Sequence, residues 1–220
     1  MVQFGFEIHF IMIFKWIIKL RQLVWRPGKF VYVAIGDSTV KGIGASDPSR
    51  SCPALVFEKI KHEKKRAYFY NLGKSGARIK DVVELQLAKA VELKPDLITI
   101  SVGANDLRHR TKLRHFEKDF LELIKTLSEK TKAKIIISNI PDLSVVPSIP
   151  ILVKHLLRFV TGRFNRIIKE YAEQFKCILV DLYTGSKIYG RKSTGLISED
   201  GLHPSDEGYA LWANAIIDYL

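Results

Sequence analysis

The chain has 220 residues, 47% of them hydrophobic, which suits one substantial core and one domain. Its formal net charge of +12 raises nucleic-acid binding. However, the basic residues fall in four separate stretches (15–29, 59–66, 108–118 and 154–192) without the basic and aromatic interleaving of a base-stacking platform, and no zinc-finger or comparable motif occurs. No nucleic-acid partner is expected, and anionic lipid or a solvated basic surface accounts for the charge at least as well. Two cysteines, Cys52 and Cys177, fall on different predicted elements and make no disulfide framework.

Residues 1–28 are unlike the remainder. An apolar stretch from Ile8 to Ile18, broken by Lys15, is followed by Lys19, Arg21, Arg26 and Lys29. The order of charge and apolar run is wrong for a cleavable signal peptide, and no small-residue cleavage site follows. The apolar run is also shorter than the roughly 20 residues of a transmembrane helix. Read as a helix, Lys15, Lys19, Gln22 and Arg26 share one narrow face, with Phe10, Phe14, Ile17 and Val24 opposite. That pattern fits a helix lying in a membrane interface across residues 8–26, with Trp16 and Trp25 near its boundary. It fits equally a helix packed on this protein's own core or on a partner chain. With a membrane present, positive charge downstream of the apolar run keeps residues 29–220 on the cytoplasmic side. A cytoplasmic location, with or without membrane association, is therefore expected.

From Phe30 onward, apolar runs rich in β-branched residues predict strands over 30–35, 67–70, 96–101, 134–138 and 177–181. Helical periodicity predicts helices over 53–65, 79–93, 116–130, 163–175 and 205–220. Strands that are apolar nearly throughout and alternate with helices make a parallel sheet covered on both faces. The fold class is α/β, a three-layer α/β/α sandwich on a five-stranded parallel sheet. Residues 141–161 interrupt the alternation with three prolines and a mixed apolar and basic stretch. They read as an ordinary helix with an irregular lead-in, the alternative being a mobile flap over the site.

In open parallel sheets the ligand site lies at the carboxyl ends of the strands. Polar residues gather there: Gly36-Asp37-Ser38 past the first strand, Asn71 to Gly76 past the second, and Gly103-Ala104-Asn105-Asp106 past the third. A further group, Asp200-Gly201-Leu202-His203-Pro204, precedes the last helix. A serine hydroxyl becomes a nucleophile when an imidazole takes its proton and a carboxylate orients the imidazole. Ser38, His203 and Asp200 supply those types, and the three-residue spacing of Asp200 and His203 lets one reach the other within a turn. Attack on an acyl group also needs donors for an oxyanion. The amides of Ser38 and Gly76 and the side chain of Asn105 are the candidates. Asp37 and Asp106 are expected to hold their loops.

These four groups, in this order from Val31 to the C-terminus, resemble the four blocks of the SGNH, or GDSL-type, hydrolase family. The resemblance implies a flavodoxin-like sandwich with Ser38 as nucleophile, Gly76 and Asn105 as oxyanion donors, and His203 with Asp200 completing a triad. It also implies no metal or other cofactor, and ester or thioester substrates. Thr39 and Lys41 vary the commoner continuation of the first block, at the entrance to the pocket. Neither a Gly-x-Ser-x-Gly elbow nor a dinucleotide or P-loop fingerprint is present. The expected activity is hydrolysis of carboxylic esters, on short-to-medium acyl chains or lysophospholipid-like lipids. The alternatives are a carbohydrate O-acetylesterase and a non-catalytic membrane-binding module.

Overall fold

The computed structural model describes residues 28–146, 149–189 and 195–220. The helix expected across residues 8–26 lies outside them. Five parallel strands, β1 (Lys29–Gly36), β2 (Arg66–Asn71), β3 (Leu97–Ser101), β4 (Lys134–Ser138) and β5 (Ile178–Val180), form one sheet in the order β2-β1-β3-β4-β5. The central strands β1, β3 and β4 are buried along nearly their whole length, whereas β2, at an edge, alternates between half-buried and exposed positions. This explains the unbroken apolar runs: a strand covered on both faces has no solvent side on which to place polar residues.

The chain steps from β1 to β2 in one direction, then returns past β1 to β3 and continues outward. That reversal sends the connecting helices to opposite faces of the sheet. On one face, Tyr32, Ala34 and Ile136 pack with Val56 and Ile60 of α1 (Cys52–Glu63) and with Tyr209, Ala213 and Ile216 of α6 (Asp206–Ile217). On the other, Val31, Val33, Ile35, Ile98, Ile100 and Ile137 meet three helices. These are α2 (Ile79–Val82, then a π-turn over Val83–Leu87, then Ala88–Glu92), α3 (Leu113–Lys130) and α4 (Ile151–Gln174). In α3 the stripe Phe116, Phe120, Leu123, Ile124 and Leu127 is fully buried, at the i, i+4, i+7, i+8 and i+11 spacing of one helix face. A short helix α5 (Leu182–Tyr189) follows β5.

The segment from 141 contains a 3-10 turn at Leu143–Val145 and then α4 from Ile151, the helix with an irregular lead-in read over 141–161. It runs on without a break into the helix expected over 163–175, so the two expected stretches are one helix. The predicted helix over 79–93 exists but widens into a π-turn in the middle, and α5 was not expected. The point of reversal lies between β1 and β3, and their carboxyl ends open onto the site.

Candidate active site

Strand β1 ends at Gly36, whose φ of +147° and close approach to β3 exclude a side chain: a Cβ there would overlap the Ser101 carbonyl oxygen. Strand β2 has ended there, and on that side the Gly36 carbonyl accepts from the Lys74 amide of the following loop at 3.1 Å. The buried side chain of Gln86, in the π-turn of α2, completes the pairing of the Gly36 peptide. Gly36 N–H donates to Gln86 Oε1 at 2.8 Å, and Gln86 Nε2 donates to the Gly36 carbonyl at 2.8 Å. The next residue, Asp37, caps a helical turn over Ser38–Lys41 by accepting from the amide and hydroxyl of Thr39 at 2.9 and 2.8 Å. Burial pushes the Asp37 carboxyl up, opposed by the Thr39 donors and by His203. Ser38 is thereby fixed as the first residue of a short helix at the end of a central strand.

Asp200 and His203 stand on a loop pinched ahead of α6. Ile197 and Pro204 form an isolated antiparallel bridge, and Ser198 N–H donates to the His203 carbonyl at 2.8 Å. Asp200 Oδ1 accepts from the amides of Leu202 and His203 at 2.8 and 2.9 Å and from the Ser198 hydroxyl at 2.8 Å. Asp200 Oδ2 lies 2.6 Å from His203 Nδ1, and His203 Nε2 lies 3.0 Å from Ser38 Oγ. Partial burial works to raise the Asp200 carboxyl. The amide and ring of His203, the Leu202 amide and the Ser198 hydroxyl outweigh it and hold the group well below the usual carboxylate range. An ionised Asp200 facing Nδ1 selects the tautomer that leaves Nε2 as the acceptor for a hydroxyl proton.

The loops after β2 and β3 close the opposite wall. Asn71 Nδ2 donates to the Val40 carbonyl at 2.7 Å and Asn71 Oδ1 accepts from Gly73 N–H at 2.9 Å, tying the β2 loop to the turn that carries Ser38. Asp106, fully buried, accepts from Ile79 N–H at 2.9 Å, and Asn105 Nδ2 donates to the Ala77 carbonyl at 3.2 Å. The expected loop-holding parts of Asp37 and Asp106 thus have their geometry. Burial pushes the Asp106 carboxyl up to about 6, against the pull of the Ile79 amide, the Thr111 hydroxyl and Arg78. Gly76 sits at φ +78° with open space where a side chain would point. Among the described residues, the amides of Ser38 and Gly76 donate no hydrogen bond. Asn105 has a second amide hydrogen beyond the one held by Ala77.

Ser38, Gly76, Asn105 and His203 all line one cavity of about 1190 Å³. These four are therefore brought to the same place, across 165 positions in the case of Ser38 and His203, with Asp200 behind the His203 ring. The walls are largely apolar, with Ile140, Val146, Ile149, Leu157, Leu211 and Trp212 among them. Among the described residues no group of three His, Cys, Asp or Glu side chains could hold a metal ion, and no helix is long and apolar enough to cross a membrane. Sequence reading overlooked Gln86 and Ser198. Gln86 left a faint signal, a polar residue on the apolar stripe formed by Ile79, Val82 and Ala90; Ser198 left none.

Comparison with known proteins agrees with this architecture. The model of the GDSL-like Lipase/Acylhydrolase family matches residues 34–211. No curated protein matches the chain. Among solved structures, the chain resembles LAE5, an α/β hydrolase enzyme from the metagenome of Lake Arreo, Spain (21% identity, 86% of this chain and 94% of that one, TM-score 0.70). It also resembles a member of the lipolytic protein G-D-S-L family from Veillonella parvula (19%, 86% and 97%, 0.69). A third is Axe2, an acetylxylan esterase from Geobacillus stearothermophilus (20%, 86% and 93%, 0.69). At such identities the likeness is one of fold.

Proposed function

Because the chain belongs to the GDSL-like lipase/acylhydrolase family and is a carboxylic ester hydrolase, we propose that Ser38, His203 and Asp200 form its catalytic triad. The observation that carries this reading is the chain of contacts from Asp200 to His203 at 2.6 Å and from His203 to Ser38 at 3.0 Å. In the first step His203 Nε2 takes the hydroxyl proton while Ser38 Oγ bonds to the ester carbonyl carbon. The oxyanion is received by the free amides of Ser38 and Gly76 and by Asn105 Nδ2. Each such donor supplies roughly 3–4 kcal/mol in comparable enzymes. The tetrahedral intermediate expels the alcohol, which leaves with the proton carried by His203. Water, deprotonated by the same ring, then attacks the acyl-serine and releases the acid, restoring Ser38. Asp200 keeps the ring oriented and balances its positive charge in both halves.

The large apolar cavity supports acyl chains of medium length or lysophospholipid-like esters over acetyl groups. The fold likeness to an acetylxylan esterase keeps a carbohydrate O-acetylesterase as the second reading. Residues 29–220 act as the catalytic domain, and residues 8–26 are proposed to add peripheral membrane contact on the cytoplasmic side. The test is hydrolysis of p-nitrophenyl acetate, butyrate and octanoate by the wild type beside Ser38→Ala, with circular dichroism confirming that both fold. Turnover lost in the folded variant and rising with acyl length is the expected result. Activity confined to acetate favours the deacetylase reading. Equal activity in both proteins overturns the nucleophile.

A further inference from the structure

The cavity wall contributed by α4 has an outer side that nothing in the described residues covers. Val153 and Leu157 of this helix line the cavity, while Leu152, Leu156 and Phe159 are 89%, 62% and 66% exposed. Those three stand at i, i+4 and i+7, one stripe of one helix face. Ile151, at the tip, is also exposed. Large aliphatic and aromatic side chains grouped in this way mark an interaction surface.

The charge around the stripe says what that surface meets. Continuing along the same face come Arg163 and Arg166, both exposed. No acidic residue occurs between Leu143 and Lys169, whereas Lys154, Arg158, Arg163 and Arg166 all do. Of these, Arg158 is engaged with Asp142 and Ser144. The exposed Arg108, Arg110, Lys112 and Arg114 follow β3 at the same end of the sheet, and Arg108 lines the cavity as well. At 1.5 Å per residue, the apolar stripe covers about 10 Å and the arginines begin about 6 Å beyond it. A helix tipped with its first turns toward the bilayer can therefore bury the apolar stretch roughly 5–10 Å into the acyl boundary while the cations beyond it meet lipid phosphates. A second copy of the chain would set one basic face against another.

We infer that the exposed face of α4, Leu152, Leu156 and Phe159 followed by Arg163 and Arg166, docks on an anionic lipid surface and sets the cavity mouth against it. An acyl ester leaving the bilayer then passes from the outer to the inner side of one helix without crossing water. The inference rests on the acyl-ester reading of the cavity, and its test is separable from that reading.

The test is vesicle flotation and hydrogen exchange of the full chain with vesicles of phosphatidylglycerol mixed with phosphatidylcholine, and with phosphatidylcholine alone. The variants are Leu152→Ser/Leu156→Ser/Phe159→Ser and Arg163→Gln/Arg166→Gln, with p-nitrophenyl butyrate turnover as the control for the site. Anionic vesicles are expected to slow exchange over 151–160 and to bind the wild type better than neutral ones do. The apolar variant is expected to lose about tenfold or more in partitioning. The arginine variant is expected to lose the preference for phosphatidylglycerol, and both variants are expected to keep butyrate turnover. Undiminished binding of the apolar variant overturns the inference and assigns membrane contact to residues outside α4. Protection over 151–160 already present without vesicles also overturns it, in favour of a second copy or the chain's own N-terminal segment. Vesicle protection of α4 with no butyrate turnover in the wild type sinks the hydrolase reading alone.

Discussion

Replacing Gln86 by leucine tests how the proposed nucleophile, Ser38, is held. The substitution keeps most of the side-chain volume but removes the Gln86 acceptor of the buried Gly36 N–H and one of two donors to the Gly36 carbonyl, which keeps the Lys74 amide at 3.1 Å. Leaving a buried backbone group unsatisfied costs about 1–3 kcal/mol, and the Gly36 N–H is the one group so left, a substantial part of the stability of a domain this size. Gln86→Glu keeps an acceptor for the N–H but sets an oxygen against the Gly36 carbonyl, so it should be destabilising too. Urea unfolding followed by circular dichroism reads the loss directly. Ser38 lies two residues beyond Gly36, and displacement by about 1 Å can cost on the order of 100-fold in rate. Folded Gln86→Leu should accordingly show kcat reduced about 10-fold to 100-fold on p-nitrophenyl butyrate with KM little changed. Wild-type kcat with reduced stability would show that Gln86 supports the sheet and not the serine. Stability within about 0.5 kcal/mol of the wild type would refute the argument that Gln86 supplies the Gly36 N–H with the partner that β2 does not.

Asp200→Asn should lower kcat about 10³-fold to 10⁴-fold in steady-state assays with the fold intact, because an amide no longer selects the productive tautomer of His203. Asn105→Ala should lower kcat about 10²-fold to 10³-fold with a smaller change in KM, as expected when a donor to the oxyanion is lost; an unchanged kcat would remove Asn105 from that role. Asp106 provides a pH test. Its folded carboxyl is raised from 3.8 to about 6, so the folded state binds the proton more tightly than the unfolded chain. The resulting stabilisation is fully present below about pH 3.8 and lost as the pH rises through about 6, and it amounts to about 3 kcal/mol. Unfolding curves of wild type and Asp106→Asn should differ by a term that changes by about that amount between pH 4 and 8. Parallel profiles would show that the carboxyl titrates normally.

Much of this fold was legible because strand burial leaves a local trace. The runs 30–35, 96–101 and 134–138 are apolar on both sides of the pleat, and each became a strand of the sheet within a residue or so. The contact of Asp200 with His203 was legible for the same reason, since three residues within one turn bring carboxylate and ring together whatever the surrounding fold. Helix α4 was legible in two pieces, as the helix with an irregular lead-in over 141–161 and as the helix over 163–175, but not as one continuous helix. Its later turns pack against the sheet, whereas its first turns expose Leu152, Leu156 and Phe159, so the two stretches carry different patterns.

By itself the sequence determined the five strands and the longer helices, and which polar groups follow the strands, because periodicity and turn chemistry act over a few residues. Only the tertiary structure decided the strand order β2-β1-β3-β4-β5, the 3.0 Å approach of His203 to Ser38, the hold of Gln86 on Gly36, and the apolar cavity beside them. Apolar pattern specifies that a face must be covered, without specifying by what. The partner is chosen when the whole core closes, so contacts between distant residues are properties of the packed chain.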